Sequence, residues 1–287
     1  MKQFIYISIF IFFALPLKSQ SLKDNVTQGY PNGTLIIIGG GDTEFIMEEF
    51  RKLAGGDSAK LVVIPTALSD DFLEMDSSFF KIKDHYKNLG FNDISILHTK
   101  DSAKANDDKF IAPLKAATAI YFEGGRQWRI ADGFLNTKAH KEMFKLLDRG
   151  GVIAGSSAGA TIQGSYLARG DTRNNQIMMG DHEVGLGFIT NVAIDQHVLA
   201  RNRQFDIFEI LKNRPELLGI GIDEKTAIIV KGDTLEVMGK SYVLIYDKSF
   251  WSREGSKLKK LPEENELFYF LRKGDRYNLS ERKIIDK

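Results

Sequence analysis

Short apolar runs that end in turns and alternate with amphipathic segments constrain this chain most. The runs are GTLIIIGGGD, KLVVIPTA, ISILH, TAIYFEGG and VIAG, and the last of them leads directly into GSSAGA. Uninterrupted apolar and β-branched strands are typical of a parallel sheet that helices cover on both faces. The pattern therefore predicts an α/β fold built on a doubly wound, mostly parallel sheet.

The segments between the runs have helical periodicity. They predict helices over residues 43–53, 71–89, 107–117 and 141–151, the third with an acidic start and the fourth with a glycine stop. From about residue 219, turn pairs such as Gly232-Asp233 leave no room for helices and predict antiparallel strands or hairpins. We find no internal repeat and no proline-rich linker, so residues 21–287 are expected to form one domain.

The N-terminus is typical of a secretory signal. One lysine precedes an apolar run from Phe4 to about Leu17, and small and polar residues follow. Since spanning a bilayer takes about 20 apolar residues, we predict that residues 1–20 are a signal peptide and that the mature protein is secreted or periplasmic, away from the membrane. A retained N-terminal anchor is the alternative.

Composition excludes several classes of function. The chain has no cysteine, so disulfides, a lipid-modified cysteine and a thiolate nucleophile are excluded. Lys and Arg number 39 against 38 for Asp and Glu, which gives no sign of a nucleic-acid partner. After GGGD come Thr43, Glu44 and Phe45 with no third glycine, so this turn lacks the dinucleotide fingerprint. We expect neither a cofactor nor a metal.

The segment GSSAG, residues 155–159, matches the spacing G-x-S-x-G with Ser157 at its centre. A nucleophile elbow needs small neighbours because its serine sits on a strained strand-to-helix turn. The N–H of Ala158 would then be available to stabilise an oxyanion. A helix start that merely contains small residues explains the same letters, so context has to decide between them.

A serine nucleophile needs a base and an orienting acid. The five histidines are His85, His98, His140, His182 and His197. His197 follows the apolar strand NVAID, at the carboxyl end where open α/β sheets keep their sites, and His182 is the weaker rival. Asp223 and Glu224 both follow another short apolar run, so either carboxylate could orient the base. We expect serine, base and acid at one sheet edge.

Four segments together resemble a known family. In chain order they are FEGGRQ, GSSAGA, DQHVLARNR and GIGIDEKTA. The resemblance is to the cyanophycinases, in the cyanophycinase and aspartyl dipeptidase family of serine peptidases, and the segments have the order and spacing of that family. The resemblance extends over about residues 33–230. It implies a sheet like that of class I glutamine amidotransferases, with serine at the position of the usual cysteine, and it favours a homodimer.

The resemblance also implies roles for individual residues. Ser157 matches the nucleophile, His197 the base and Glu224 the orienting acid. Gly124 and Gly125 would contribute to the oxyanion hole beside Ala158. The residues that match substrate-binding positions are Gln127, Asp195, Gln196, Arg201 and Arg203.

The implied substrate is a polymer or peptide rich in aspartate. Cyanophycin is an aspartate backbone that bears arginine through isopeptide bonds, and paired arginines such as Arg201 and Arg203 suit its carboxylates. Two positions depart from the family pattern: Asp206 stands where a third basic residue is usual, and Arg126 stands where an acid is common. The departures leave the hydrolytic residues in place and reverse the charge at two positions near the expected cleft.

We therefore predict a secreted serine exopeptidase that hydrolyses cyanophycin-like β-aspartyl-arginine polymer or related aspartate-containing peptides. An α-aspartyl dipeptidase is the alternative within the same broad family. An exported binding protein that keeps the fold without turnover is the alternative from another class.

Overall fold

The computed structural model describes residues 26–252 and 266–285, so the predicted signal peptide lies outside the described residues. The strands are β1 (Thr34–Ile38), β2 (Lys60–Ile64), β3 (Asp93–Ile96), β4 (Ala119–Phe122), β5 (Val152–Ser156), β6 (Gly164–Tyr166), β7 (Ile189–Gln196), β8 (Leu218–Ile222), β9 (Thr226–Lys231), β10 (Thr234–Gly239), β11 (Val243–Tyr246), β12 (Tyr269–Leu271), β13 (Arg276–Asn278) and β14 (Lys283–Ile285). The α-helices are α1 (Glu44–Leu53), α2 (Asp70–Leu73), α3 (Ser78–Asn88), α4 (Ala112–Ala116), α5 (Gln127–Phe134), α6 (Lys138–Asp148), α7 (Ala158–Thr161) and α8 (Phe208–Asn213).

Among the described residues, the main sheet has nine strands in the order β14-β13-β10-β9-β1-β5-β4-β2-β3. The five strands from β1 to β3 in this order are parallel, which confirms the predicted doubly wound core. Strands β9, β10, β13 and β14 continue the sheet antiparallel, as the turn-rich C-terminal sequence predicted. Every residue of β1 and β5 is buried, because these two strands lie at the centre and are covered on both faces.

A second sheet has the order β12-β11-β8-β7-β6. Its apolar side chains, among them Val192, Ile194 and Ile220, share one core with Ile37 and Ile153 of the main sheet. The expectation that serine, base and acid lie at the edge of one sheet was wrong, because the strands that precede His197 and Glu224 belong to this second sheet. An apolar run indicates a buried strand but does not identify the strand it pairs with.

Two predicted helices are shorter than their periodicity indicated. Within residues 107–117 only α4 is helical, because the Asp107 carboxylate accepts the backbone N–H groups of Lys109 and Phe110 and fixes a turn instead. Residues 71–89 divide into α2 and α3, and the Ser78 hydroxyl donates to the carbonyl of Leu73 at the break. In the part of the chain that the structure describes, no helix has the length and apolar character needed to cross a membrane.

Candidate active site

Ser157 occupies a strained turn between central strand β5 and helix α7. Its φ of 57° and ψ of −111° are unusual for a residue with a side chain. A Cβ added at Gly155 would lie 2.2 Å from the carbonyl oxygen of Gly159, and one added at Gly159 would lie 2.2 Å from that of Phe122. Both glycines of G-x-S-x-G are therefore required for close packing beneath the serine, as in a nucleophile elbow.

Three side chains form a hydrogen-bonded chain at this turn. His197 Nε2 lies 2.9 Å from Ser157 Oγ, and His197 Nδ1 lies 2.6 Å from Glu224 Oε1. His197 follows β7 with a φ of 54°, and its N–H donates to the carbonyl of Gly39 at 3.0 Å. The arrangement allows the imidazole to accept the serine proton while the carboxylate holds the opposite ring nitrogen.

The glycine turn after β1 makes room for the base and the acid. A Cβ added at Gly40 would lie 2.1 Å from Cε1 of His197, and one added at Gly41 would lie 3.0 Å from an oxygen of Glu224. The carbonyl of Gly40 also accepts the N–H of Lys225, the residue after Glu224. GGGD is thus a structural turn, against which the segments that follow β7 and β8 of the second sheet pack closely.

The pKa of His197 is below the ordinary value of 6.5. Burial is the largest cause, because it disfavours the imidazolium, and Arg201 and Arg203 add to the effect. The hydrogen bond to Glu224 acts in the opposite direction. Near neutral pH the ring is therefore mostly uncharged, which is the form that accepts a proton.

The rival acid and the rival base have other partners. Asp223 accepts the N–H groups of Leu199 and Ala200 and the hydroxyl of Ser241, so its carboxylate fixes the turn after His197. His182 lies between Asp181 and Asp132, each 2.8 Å from one ring nitrogen. Asp223 and His182 are thus held away from Ser157, whereas His197 contacts Ser157 and Glu224 contacts His197.

The residues expected to donate to the oxyanion differ in how near they lie to Ser157. A Cβ added at Gly124 would lie 3.3 Å from Ser157 Cβ, so this backbone passes beside the serine. Gly125, with a φ of 132°, is instead packed against the carbonyl of Ala67. Within residues 26–252 and 266–285, the N–H groups of Gly124, Gly125 and Ala158 have no backbone acceptor. They remain available to a substrate oxygen, and their role stays a prediction.

Two of the expected substrate-binding residues are buried and hydrogen-bonded within the protein. Gln127 Nε2 donates to the carbonyls of Ala168 and Arg169, at 2.8 and 3.0 Å. Both carboxylate oxygens of Asp195 accept from the Arg169 guanidinium, and Asp195 is only 1% exposed. Asp195 therefore has no open face for a substrate in this structure, and its expected contact is replaced by an ion pair.

The other three expected residues lie around the turn after His197. Gln196 is buried, and its Oε1 has no hydrogen-bond partner among the described residues. Arg201 and Arg203 line a cavity of about 520 Å³ together with Arg169 and Asp206. The Arg201 N–H donates to the carbonyl of His197, so a single turn separates the two residues. The next helix after this turn is α8.

Both departures from the family pattern have partners in the structure. The Arg126 guanidinium donates to the carbonyl of Asp171. Asp206 Oδ2 lies 2.7 Å from Nη2 of Arg169, the same guanidinium that binds Asp195. Arg169 was not predicted from the sequence, because a single arginine in SYLARGD, 26 and 37 residues from its partners, carries no motif signal.

No cluster of three His, Cys, Asp or Glu side chains suited to a metal occurs among the residues whose placement is described. The side chains that the described residues bring to the site are a serine, an imidazole, carboxylates and guanidinium groups.

Comparison with known proteins decides the family. Residues 35–238 match the model of peptidase family S51. The chain belongs to this family. Membership makes the chain a serine-type peptidase, with a peptide or polymer as the class of substrate. The matched range includes Ser157, His197 and Glu224.

Several relatives of this S51 peptidase are cyanophycinases. The chain is 30% identical over 265 residues to the cyanophycinase of Geminocystis herdmanii, which covers 87% of this chain and 94% of the relative. It is 28% identical to that of Trichormus variabilis, over 94% and 93% of the two chains.

Two of the solved structures that are similar to it show the extent of the likeness. A peptidase from an acI-B1 actinobacterium has a TM-score of 0.62 and 26% identity and covers 88% of this chain and 98% of that one. A putative peptidase E protein from Listeria monocytogenes has a TM-score of 0.51 and 18% identity over 73% and 100%, and this second likeness supports the fold alone.

Proposed function

We propose that this S51 peptidase is an exported exopeptidase that hydrolyses cyanophycin-like β-aspartyl-arginine polymer or related aspartate-containing peptides. The observation that carries the proposal is the hydrogen-bonded chain from Ser157 through His197 to Glu224, set on a strained elbow. Ser157 Oγ attacks the peptide carbonyl while His197 Nε2 takes its proton. The imidazolium then gives that proton to the leaving amine, and water hydrolyses the acyl-enzyme by the same route.

Glu224 and the backbone complete the mechanism. The Glu224 carboxylate accepts a hydrogen bond from the Nδ1–H of His197. This bond directs Nε2 at the serine and stabilises the imidazolium that forms. Gly124 and Ala158 are proposed to donate their N–H groups to the oxyanion. Removing one oxyanion donor costs roughly 10²–10³-fold in kcat in serine peptidases, so these groups contribute strongly.

The charge of the cavity wall supports an aspartate-containing substrate. Arg203 is only 8% exposed, and burial together with Arg169 lowers its pKa while Asp195 raises it. No carboxylate lies within 4.0 Å of the Arg201 or Arg203 guanidinium among the described residues. A buried guanidinium without an ion pair favours a carboxylate ligand. Cyanophycin, after which the relatives are named, supplies carboxylate groups.

Export is proposed from the N-terminal sequence, where one lysine, an apolar run and a polar stretch occupy residues 1–20. An exported enzyme of this kind would act on polymer or peptide outside the cytoplasm. Mass spectrometry of the protein from a secreting host tests this: loss of about the first 20 residues supports export, and an intact Met1 contradicts it.

The substrate is tested with insoluble cyanophycin and a panel of α-Asp-X and β-Asp-X dipeptides. Soluble β-Asp-Arg released by the purified protein, and not by a Ser157→Ala protein prepared in parallel, supports the proposal. Cleavage of α-Asp-X alone would make the enzyme an α-aspartyl dipeptidase. Binding of cyanophycin without any product would favour the exported binding protein.

A further inference from the structure

Arg169 is the most completely engaged side chain near the cavity. Its Nε and Nη2 lie 2.8 and 2.9 Å from the two oxygens of Asp195, and Nη2 also lies 2.7 Å from Asp206. Its Nη1 donates to the carbonyl of Asn175 at 3.1 Å. All three nitrogens are thus engaged, and the residue is 1% exposed. The planar fork of arginine suits such two-sided binding, whereas lysine would make only point contacts.

The backbone of Arg169 joins further parts of the pocket. Its carbonyl accepts Nε2 of Gln127 at the start of α5, and its N–H donates to the carbonyl of Met178. Its φ of 57° is the left-handed conformation that non-glycine residues seldom adopt. One residue therefore holds α5, the loop that contains Asn175, the end of β7 and the turn that contains Asp206.

The ion pairs of Arg169 also set the charge of the cavity. The wall includes three guanidiniums, of Arg169, Arg201 and Arg203, and the carboxylates of Asp206 and Glu209. Arg169 forms ion pairs both with Asp206 and with the buried Asp195 behind it, so two carboxylates share one guanidinium. Among the described residues, Arg201 and Arg203 are then the cationic side chains of the wall without an ion pair, and they are the groups that a substrate anion would meet.

We propose that Arg169 is the positioning and specificity-determining residue of this cavity, because it masks Asp195 and Asp206 so that Arg201 and Arg203 can receive a carboxylate of the substrate. This inference rests on the proposed function, since it assumes that the cavity binds the aspartate-containing substrate of Ser157. It also accounts for Asp206, whose negative charge is paired inward with Arg169 and is not used to bind a basic group.

The first test is Asp206→Asn, because the Asp206 side chain is 40% exposed and the Arg169–Asp195 pair is left intact. One negative charge leaves the cavity, so KM for the best aspartate peptide of the panel is expected to fall about threefold at 50 mM NaCl. The difference should disappear at 500 mM NaCl by screening, and KM for the asparagine analogue of that peptide should not change. A KM that rises would mean that Asp206 binds a basic group of the substrate, and this would overturn the proposal.

The second test is Arg169→Met, which uncovers both carboxylates. KM for the aspartate peptide is expected to rise at least about tenfold while kcat changes less than about threefold, because binding and not the chemical step is affected. Arg169→Lys keeps the charge and should recover part of the loss. Arg51→Met is the matched control, because it removes an arginine of α1 that is paired with Asp57, and it should leave KM unchanged.

The rate at which a fluorophosphonate labels Ser157 separates a binding defect from a structural one. It should be the same in the wild type and the Arg169 variants, and a parallel loss of labelling and kcat would make Arg169 merely structural. If Arg169→Met does not fold, Arg169→Lys and Asp206→Asn decide the matter. A wild type that is labelled but hydrolyses no aspartate peptide overturns the proposed substrate, whereas an active wild type with KM unchanged in all variants overturns the role of Arg169 alone.

Discussion

At the scale of single residues, two adjacent carboxylates have separate tasks. Glu224 accepts Nδ1 of His197, whereas Asp223 accepts two backbone N–H groups and the Ser241 hydroxyl. The same turn thus supplies one acid that acts on the base and one that fixes the backbone around it. From the sequence the two could not be told apart, because both follow the same short apolar run.

Exchanging each acid for its amide tests this division. Glu224→Gln keeps the shape but removes the charge that stabilises the imidazolium, so kcat should fall roughly 10²–10⁴-fold with little loss of stability. Asp223→Asn is the matched control. It should lower the melting temperature and leave kcat nearly unchanged, since the partners of Asp223 are structural. Steady-state kinetics and thermal denaturation of both variants measure the two effects. The opposite pattern would exchange the roles of the two residues.

The acidic limb of the pH–rate profile reports the base. Because burial lowers the pKa of His197, the neutral ring persists below its ordinary value of 6.5. As pH falls through the pKa the ring is protonated and activity is lost, so the midpoint of kcat/KM should lie below 6.5. A midpoint above about 7 would indicate that a different group, or an imidazolium stabilised by Glu224, controls the rate.

At the scale of elements, the turn after β1 connects the two sheets at the site. Gly39 and Gly40 accept backbone N–H groups from His197 and Lys225, and Gly40 leaves space for the imidazole ring. A short glycine segment is therefore as necessary to the geometry of the site as Ser157, His197 and Glu224.

Gly40→Ala tests the turn directly. The new methyl group would lie 2.1 Å from His197 Cε1, and a φ of 113° is strained for alanine, so the ring must move. A displacement of this kind costs on the order of 10²-fold in kcat. Gly150→Ala is the control, because Gly150 also has a positive φ but a Cβ there meets no atom within 4 Å. Equal kcat losses in the two variants would mean that strain alone, and not contact with His197, is responsible.

Elements with strong local patterns could be predicted from the sequence, and those that depend on distant contacts could not. Strands β1, β2, β4 and β5 and the elbow at Ser157 follow from apolar runs and glycine spacing. The second sheet could not be predicted, because the run that forms β7 gives no sign of whether it pairs with β8 or with the main sheet. Helix 107–117 was predicted too long because the Asp107 turn competes with helical hydrogen bonding.

At the scale of the whole molecule, two sheets share one core and bring their functional groups together at a single place. The main sheet contributes Ser157 from the end of β5, and the second sheet contributes His197 and Glu224 from the ends of β7 and β8. Ile37, Ile153, Ile194 and Ile220 belong to the common core, so each sheet fixes the position of the other. The Ser157–His197 distance therefore depends on the packing of the entire fold.

The central claim is that Ser157, and not a neighbouring serine, is the nucleophile. Trypsin should release residues 150–169 as one peptide, which contains Ser156, Ser157 and Ser165 and so carries its own controls. The most direct measurement is tandem mass spectrometry of this peptide after the active enzyme has reacted with a fluorophosphonate. We predict a single adduct on Ser157 that is absent after His197→Ala, because the hydroxyl is a weak nucleophile without its base. An adduct on Ser156 or Ser165, or labelling of a Ser157→Ala protein at the wild-type rate, would contradict the account.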